Sequence, residues 1–188
     1  MYESSDEVLL EADDKMAKSL EVLKTNLSGL RTGKASPSLV ENITAECYGT
    51  QTRLREMALI STPEPRLIVI KPYDPSTLGA IEKGIQAANI GIMPLNDGRV
   101  IRVPIPELSE ERRNEMVKVA SRHGEDAKVS IRAVRREANE AIKTLQKNSA
   151  ITEDEREDAL EEIQKYTDDY VAKVDAAVAA REKDIMGG

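Results

Sequence analysis

The segment from Ser109 to Asn148 constrains the fold more than any other part of the chain, because it is long and contains no proline. Apolar or small residues recur along it at spacings of three or four, and once of seven, which is the pattern of one buried face of an α-helix. These residues are Met116, Ala120, Ala127, Ile131, Val134, Ala138, Ile142 and Leu145. Ser109 is a suitable N-cap for this helix. The segment therefore predicts one long helix that requires partner helices.

A second stripe of the same predicted helix is basic. It consists of Lys128, Arg132, Arg135, Arg136 and Lys143. Most of these residues directly follow a residue of the apolar stripe, which places them about 100° further round the helix. Arginine is preferred for bidentate phosphate contacts, so the three clustered arginines favour an anionic ligand. The alternative is that these cations pair with acidic residues of a neighbouring helix, and both interpretations stay open.

The charge of the chain is unevenly distributed. The formal net charge is −7, which argues against indiscriminate affinity for nucleic acid. Residues 109–148 nevertheless carry 7 acidic and 10 basic residues, whereas residues 149–188 carry 12 acidic and 5 basic ones. Basic residues are thus concentrated inside an acidic protein, which indicates a local binding face.

Two further segments have helical patterns. Residues 4–30 begin with a capping box from Ser4 to Glu7, and residues 152–186 begin with another from Thr152 to Glu155. Both segments then repeat apolar residues at helical spacing. Only about four residues separate the second long helix from the third, so these two helices should pack antiparallel. The sequence predicts a long three-helix bundle.

Between Leu30 and Leu108 the pattern changes. The prolines and most of the glycines lie in this part of the chain, and the hydrophobic period shifts towards two. The predicted strands are Leu39–Tyr48, Thr52–Leu59, Arg66–Tyr73, Ile90–Leu95 and Val100–Ile105. Ser76–Asn89 is predicted to be a helix, and Asn96-Asp97-Gly98 a hairpin turn. The expected fold class is α+β: residues 1–30 and 107–188 form the bundle, and residues 31–106 form a small inserted α/β domain that is rich in strands.

No stretch has the pattern of an active site. The glycines form neither a P-loop nor a dinucleotide fingerprint, and His123 is the only histidine. Cys47 lies on a predicted strand with no base near it in sequence, so a buried small residue is favoured over a catalytic thiol. Acidic pairs such as Glu161-Glu162 favour a solvated helix face, although carboxylates alone could bind magnesium. No catalytic residue, cofactor or metal site is predicted.

The single cysteine excludes an intrachain disulfide and fits a reducing compartment. The N-terminal residues lack the pattern of a signal or transit peptide, and no stretch approaches the roughly 18 apolar residues of a membrane span. We therefore expect a cytoplasmic protein that does not bind membranes. The chain has no Phe or Trp, which disfavours stacking on single-stranded bases. Structured RNA held by its backbone fits the basic stripe better.

Three separated blocks resemble the signatures of the ribosome recycling factor family. They are LRTGKASPSL at Leu30–Leu39, IRVPIPELSEERR at Ile101–Arg113 and VSIRAVRREAN at Val129–Asn139. The resemblance runs nearly from end to end. It implies a three-helix bundle and an α/β domain in a bent two-domain shape similar to transfer RNA. It also implies action with elongation factor G to split the ribosome after termination.

The resemblance further implies which residues bind RNA. Arginines that match Arg31, Arg132 and Arg135 contact large-subunit ribosomal RNA in that family, and Lys34 stands where many relatives have arginine. The complete predicted RNA-binding set is Arg31, Lys34, Lys128, Arg132, Arg135 and Arg136. The expected partners are the large ribosomal subunit, with 23S-type RNA, and elongation factor G, and the chain is expected to be monomeric.

Two short crossings, at residues 31–37 and 103–106, join the predicted domains and would limit their relative motion. The predicted hinge residues are Thr32, Gly33, Pro104, Ile105 and Pro106. Gly33 can absorb a large backbone rotation, and the prolines stiffen the flanks. An alternative is that Gly33 only caps the first helix.

The sequence thus favours a non-enzymatic translation factor that binds ribosomal RNA through the bundle. One alternative is an interaction module in which the helices display the insert to a protein partner. Another is a metal-dependent hydrolase that uses acidic residues.

Overall fold

The structure is a computed structural model and describes residues 2–187. The described chain divides into a helical unit, made of the residues up to Arg31 together with Glu110–Gly187, and a sheet unit, Thr32–Ser109. The sheet unit extends beyond residue 106 because Arg66 holds this part of the chain. Arg66 accepts a hydrogen bond at its carbonyl from the Ile105 N–H (2.8 Å) and forms an ion pair with Glu107. Residues 1 and 188 of the predicted bundle lie outside the described residues.

The elements follow in this order. The helices are α1 (Ser5–Ser28), α2 (Leu54–Met57), α3 (Leu78–Ala87), α4 (Glu110–Lys147) and α5 (Glu153–Gly187). The strands are β1 (Thr44–Cys47), β2 (Thr50–Arg53), β3 (Ala58–Glu64), β4 (Leu67–Pro72), β5 (Leu95–Asn96) and β6 (Ile101–Pro104). Short 3₁₀ turns at Pro37–Leu39 and Pro75–Thr77 precede β1 and α3.

The helices α1, α4 and α5 pack against one another, which confirms the predicted three-helix bundle. Their core is aliphatic except for Tyr170, as the lack of Phe and Trp requires. The predicted apolar stripe of α4 is buried from Ala120 to Leu145, and only Met116 at its start is half-buried. Met16, Leu23, Ile131, Ile142 and Ile163 are fully buried.

Side-chain contacts between the helices define their directions. Ser19 and Ser130 share a hydrogen bond between their hydroxyls (2.8 Å), and Lys15 pairs with Glu137 (2.8 Å), so α1 and α4 run antiparallel. The Tyr170 hydroxyl donates to the Asp13 carboxylate (2.7 Å), which joins α5 to α1. Burial and this hydrogen bond raise the pKa of Tyr170 to about 12.

The two predicted capping boxes differ in completeness. At the start of α5, the Thr152 N–H donates to Glu155 Oε2 (2.7 Å) and the Glu155 N–H donates to Thr152 Oγ1 (3.2 Å), so this box is complete. The N–H of Thr152 lowers the pKa of Glu155. At the start of α1, Ser4 accepts from the Glu7 N–H (3.4 Å), but the Glu7 carboxylate accepts from the N–H of Glu3 instead of Ser4.

The sheet unit contains two antiparallel sheets. β1 pairs with β2, and a four-stranded sheet has the order β3-β4-β6-β5. One face of the larger sheet and the buried side of α3 share a second aliphatic core, in which Ile68, Ile70, Ile81, Ile85 and Ile101 are inaccessible to solvent. The predicted β-rich insert is therefore confirmed as a fold class.

Three local predictions in this unit were wrong or only partly right. The predicted strand Thr52–Leu59 is interrupted by α2, because Leu54 and Met57, three residues apart, are both buried when this segment is helical. Of the predicted strand Ile90–Leu95 only Leu95 is in a strand, since Gly91 has a φ of +74° and Pro94 lacks an N–H. The predicted strand from Leu39 shortens to β1.

Two turns of the sheet unit have the backbone conformations that their residues favour. Tyr48 and Gly49, with φ of +50° and +78°, form the two-residue turn between β1 and β2, as a type I′ turn requires. The predicted hairpin at Asn96–Gly98 is confirmed. Its Asp97 carboxylate accepts from the N–H groups of Arg99 and Val100, both at 2.9 Å, which lowers the Asp97 pKa.

Gly124 permits the close approach of α4 and α5. A Cβ added at Gly124 would lie 2.7 Å from Val178 Cγ2 on α5, and valine has a stiff side chain. We expect Gly124→Ala to lower the free energy of unfolding by about 1–2 kcal/mol, because overpacking outweighs the better helix propensity of alanine. Chemical denaturation measures this change.

A matched control is Gly79→Ala on α3, where an added Cβ meets no atom within 4 Å. This variant should be as stable as the parent or more stable. Val178→Ala should partly rescue Gly124→Ala, since the two side chains contact each other. A Gly124→Ala protein that is more stable than the parent would show that the helices separate without cost.

Candidate nucleic-acid interface

The basic stripe lies along the edge of α4 that borders α5. Two contacts define this position: Lys128 bonds to Asp175, and Arg135 bonds to Gln164, both partners being on α5. The stripe keeps this orientation because the adjacent apolar stripe of α4 is buried in the bundle core. The helical unit thus positions Lys128, Arg132, Arg135 and Arg136 on one edge.

Lys128 is largely neutralised where it stands. Its Nζ lies 2.6 Å from Asp175 Oδ1 and 3.3 Å from Glu125 Oε1, and the side chain is 20% exposed. The hydrogen bond to Asp175 is the main cause of its raised pKa. For Lys128 the structure therefore matches the alternative interpretation, in which the stripe pairs with acidic residues of the neighbouring helix.

The arginines differ from Lys128. Arg135 donates from a guanidinium nitrogen to Gln164 Oε1 (3.3 Å), a neutral acceptor. Arg132 and Arg136 are exposed. Within residues 2–187, none of these three guanidinium groups forms an ion pair with an acidic side chain. The arginine cluster, by which we mean Arg132, Arg135 and Arg136, therefore carries positive charge that no ion pair compensates, and only Arg135 of the three is half-buried.

Arg31 lies elsewhere on the helical unit. It follows the end of α1 and is exposed. The contact between Ser19 and Ser130 places α1 and α4 in register, and Arg31 comes about twelve residues beyond Ser19. At about 1.5 Å per helical residue, Arg31 lies roughly 20 Å along the bundle from the arginine cluster. The helical unit thus offers two separate basic positions.

Arg181 on α5 contacts the end of α1, which the sequence did not predict. Its guanidinium donates to the carbonyl oxygens of Ser28 (3.2 Å) and Leu30. The last turn of α1 contains no basic residue, so this arginine supplies donors that the helix end lacks. It holds the backbone immediately before Arg31. Sequence position alone could not show this contact, because Arg181 and Ser28 are 153 residues apart.

Lys34 and the predicted hinge residues belong to the sheet unit. Lys34 is exposed, and its N–H donates to Thr32 Oγ1 (3.4 Å). Gly33 is buried with a φ of +76°, a conformation that favours glycine. The alternative role of Gly33 as the cap of α1 is wrong, because α1 ends at Ser28 and Gly29 occupies the cap.

The second predicted crossing falls inside the sheet unit. Pro104 is the last residue of β6, and the N–H of Ile105 bonds to the Arg66 carbonyl, so the sheet holds both residues. Pro106 lies between β6 and α4. The assignment of a hinge to these residues stays a prediction.

The remaining residues considered for catalysis or metal binding lie apart from the basic stripe in sequence. Cys47 is a half-buried free cysteine at the end of β1, and His123 is half-buried on α4. In the described part of the chain, no group of three or more His, Cys, Asp or Glu side chains could hold a metal ion. None of the helices between residues 2 and 187 is long and apolar enough to cross a membrane.

Comparison with known sequences gives a consistent match. A family model described as ribosome recycling factor matches residues 23–186. The ribosome-recycling factor of Bacillus subtilis (strain 168) is 47% identical over 182 residues, which cover 97% of this chain and 98% of the relative. That of Carboxydothermus hydrogenoformans is 48% identical over 180 residues, 96% of this chain and 97% of the relative.

Solved structures agree with the sequence match. A solution structure of a ribosome recycling factor superposes with a TM-score of 0.79 and is 40% identical, with 100% of both chains covered. A second similar structure has a TM-score of 0.65 and 40% identity, covering 98% of this chain and 100% of the other. It is described as T. thermophilus ribosome recycling factor and E. coli elongation factor G bound to the E. coli post-termination complex.

The contact of Arg181 with α1 generates a local prediction. Arg181→Gln should lower the free energy of unfolding by about 1–3 kcal/mol, because hydrogen bonds from a charged donor to the helix end are lost. Amide hydrogen exchange should accelerate from Gly29 to Arg31 and stay unchanged near the middle of α1. Lys183→Gln is the matched control, since Lys183 is exposed on the same helix. Equal exchange in both variants would contradict a capping role for Arg181.

Proposed function

The chain belongs to the ribosome recycling factor family, and on that premise we propose that it binds the large ribosomal subunit after termination. Together with elongation factor G it then splits the post-termination ribosome so that the subunits can be reused. The relatives named above support this function over nearly the whole chain. The similar structure described with elongation factor G on a post-termination complex supports the same partners.

The observation that carries the binding proposal is the uncompensated charge of the arginine cluster. Each guanidinium can form bidentate hydrogen bonds with phosphate oxygens. Phosphate contacts of this kind provide affinity and register on RNA without reading its sequence. We propose that Arg132, Arg135 and Arg136 bind large-subunit RNA through its backbone. Arg31 and Lys34 are proposed as further contacts because of the family resemblance.

The position of these cations in an acidic chain supports specific binding. The net charge of −7 opposes general attraction to RNA, so binding depends on bringing the arginine cluster into contact with phosphates. Lys128 has a smaller role in this proposal than the sequence suggested, because Asp175 and Glu125 already neutralise it.

The chain is proposed to act mechanically, without catalysing a reaction of its own. In this scheme the partner hydrolyses guanosine triphosphate, and this chain transmits the resulting motion to the ribosome. Thr32, Gly33, Pro104, Ile105 and Pro106 are proposed to form the hinge, in which Thr32, Gly33 and Pro106 absorb the rotation because the sheet holds Pro104 and Ile105. Gly33 is proposed as the pivot because glycine can absorb a large backbone rotation, and its present φ of +76° is one that few other residues adopt without strain. The proposed site of action is the cytoplasm.

A direct test is sedimentation of the chain with ribosomes, with and without elongation factor G and its nucleotide. We expect the chain to sediment with large subunits and the complete mixture to yield separated subunits. Absence of both effects would contradict the proposed function.

Substitution of the arginine cluster tests the binding face. Arg132→Ala or Arg135→Ala should weaken large-subunit binding by about 1–3 kcal/mol and leave the fold intact. Each variant should also reduce the slope of log affinity against log salt by about one unit, because one phosphate contact is lost. Binding titrations at several salt concentrations measure both quantities.

Arg112 and Arg113, in the first turns of α4, provide the internal control. Arg112 already pairs with Glu115 (3.0 Å). We expect alanine at either position to change affinity less than Arg135→Ala does. An unchanged affinity and an unchanged salt slope for Arg135→Ala would remove the proposed RNA face.

Release of Lys128 provides an opposite test. Asp175→Asn removes the nearest acidic partner of Lys128, so large-subunit affinity should rise and the salt dependence should become steeper. Asp158→Asn is the matched control, because it removes the same charge from an exposed position of α5. An equal effect of the two variants would mean that net charge, and not the release of Lys128, explains the result.

A further inference from the structure

Two cations of the basic stripe contact α5, and their partners on that helix differ in charge. Lys128 forms an ion pair with the carboxylate of Asp175, which compensates its positive charge. Arg135 meets the amide of Gln164, which accepts a hydrogen bond and carries no charge. Seven residues and two helical turns separate the two cations, so the same edge of α5 serves both.

The orientation of the Gln164 amide follows from its two neighbours. Gln164 Nε2 donates to Asp168 Oδ1 at 2.8 Å, one turn further along α5. A carboxylate only accepts hydrogen bonds, so the NH₂ group of Gln164 must face Asp168 and its oxygen must face Arg135. The guanidinium of Arg135 only donates, and it satisfies that oxygen. The three side chains therefore form one chain of hydrogen bonds from Asp168 to Arg135.

This arrangement restrains a long side chain without cancelling its charge. A mobile arginine loses rotamer freedom when it binds a phosphate, which reduces affinity. An arginine that is already held loses less, provided that its holder is neutral. Glutamate at position 164 would also reach Arg135, but it would form an ion pair and compete with phosphate for the guanidinium. Glutamine is thus suited to this position in an otherwise acidic segment.

We infer that Gln164, anchored by Asp168, is a positioning residue that prepares Arg135 for binding an RNA phosphate. This inference rests on the proposed function, since it deepens the description of the same binding face. It adds a residue of α5 to the arginine cluster, which the sequence predicted from the basic stripe of α4. It also explains why the charge of Arg135 stays without an ion pair beside an acidic helix, whereas the charge of Lys128 is paired with Asp175.

The test compares two substitutions at position 164 in the full chain, with isolated large subunits as the probe. Gln164→Met keeps the size and helix propensity of the residue but removes both hydrogen bonds. We expect it to weaken binding by about twofold to tenfold, the cost of restraining one free side chain, with an unchanged salt slope. Gln164→Glu should weaken binding more and reduce the salt slope by about one unit, because Arg135 becomes paired.

Two controls separate the positioning of Arg135 by Gln164 from a general effect of added charge or of a glutamine-to-methionine substitution. Ala176→Glu adds the same charge at an exposed position on another side of α5, and it should change the salt slope less than Gln164→Glu. Gln86→Met repeats the glutamine substitution at an exposed position of α3 and should leave binding unchanged. Because Gln164 is exposed, the melting temperature of Gln164→Met should also stay close to that of the parent.

The decisive comparison repeats Gln164→Met in an Arg135→Ala background. If Gln164 acts through Arg135, its substitution has no further effect there. An undiminished effect in that background, or Gln164→Met binding within experimental error of the parent while Arg135→Ala binds weakly, would overturn the inference and leave the proposed function intact. A parent chain without salt-dependent binding to large subunits would overturn both.

Discussion

Burial of the α4 apolar stripe between α1 and α5 is the constraint on which the helical unit depends. The stripe from Ala120 to Leu145 follows the helical period without a break, so one rotation of α4 about its axis buries it best. That rotation also determines the direction of every other side chain on the helix. The arginine cluster faces the edge beside α5 because Ile131, Val134 and Ala138 face the core.

The parts of the fold that the sequence predicted well are those that local chemistry determines. The long helices repeat their apolar residues over many turns. The start of α5 is determined by the reciprocal hydrogen bonds of Thr152 and Glu155, which lie only three residues apart. The segment from Leu54 to Met57 could not be predicted in this way. The segment is short, and its apolar and polar residues do not alternate clearly. Its single helical turn buries both end residues in the sheet unit. Leu, Arg, Glu and Met are all good helix formers, but four residues are too few to show a helical period in the sequence.

The basic stripe of α4 was predictable in location, but the pairing of its charges was not. Periodicity places Lys128 and Arg135 on the same edge of α4, and nothing in their spacing distinguishes them. The distinction arises from α5, where Asp175 meets one cation and Gln164 meets the other. Arg181 and its contact with the end of α1 were missed for the same reason. Contacts between residues far apart in sequence depend on helix register, which composition and period leave undetermined.

The acidic character of α5 and the basic edge of α4 are therefore compatible within one bundle. Carboxylates close enough to bond a cation neutralise it, as at Lys128, whereas carboxylates that lie further away only lower the general potential of the surface. Between these two cases lies Asp168, which reaches Arg135 only through the amide of Gln164. The intervening amide passes on the geometric restraint of the carboxylate without its charge. An acidic helix can in this way support an arginine that stays available to phosphate, while the negative charge of the whole chain opposes less specific contacts with RNA.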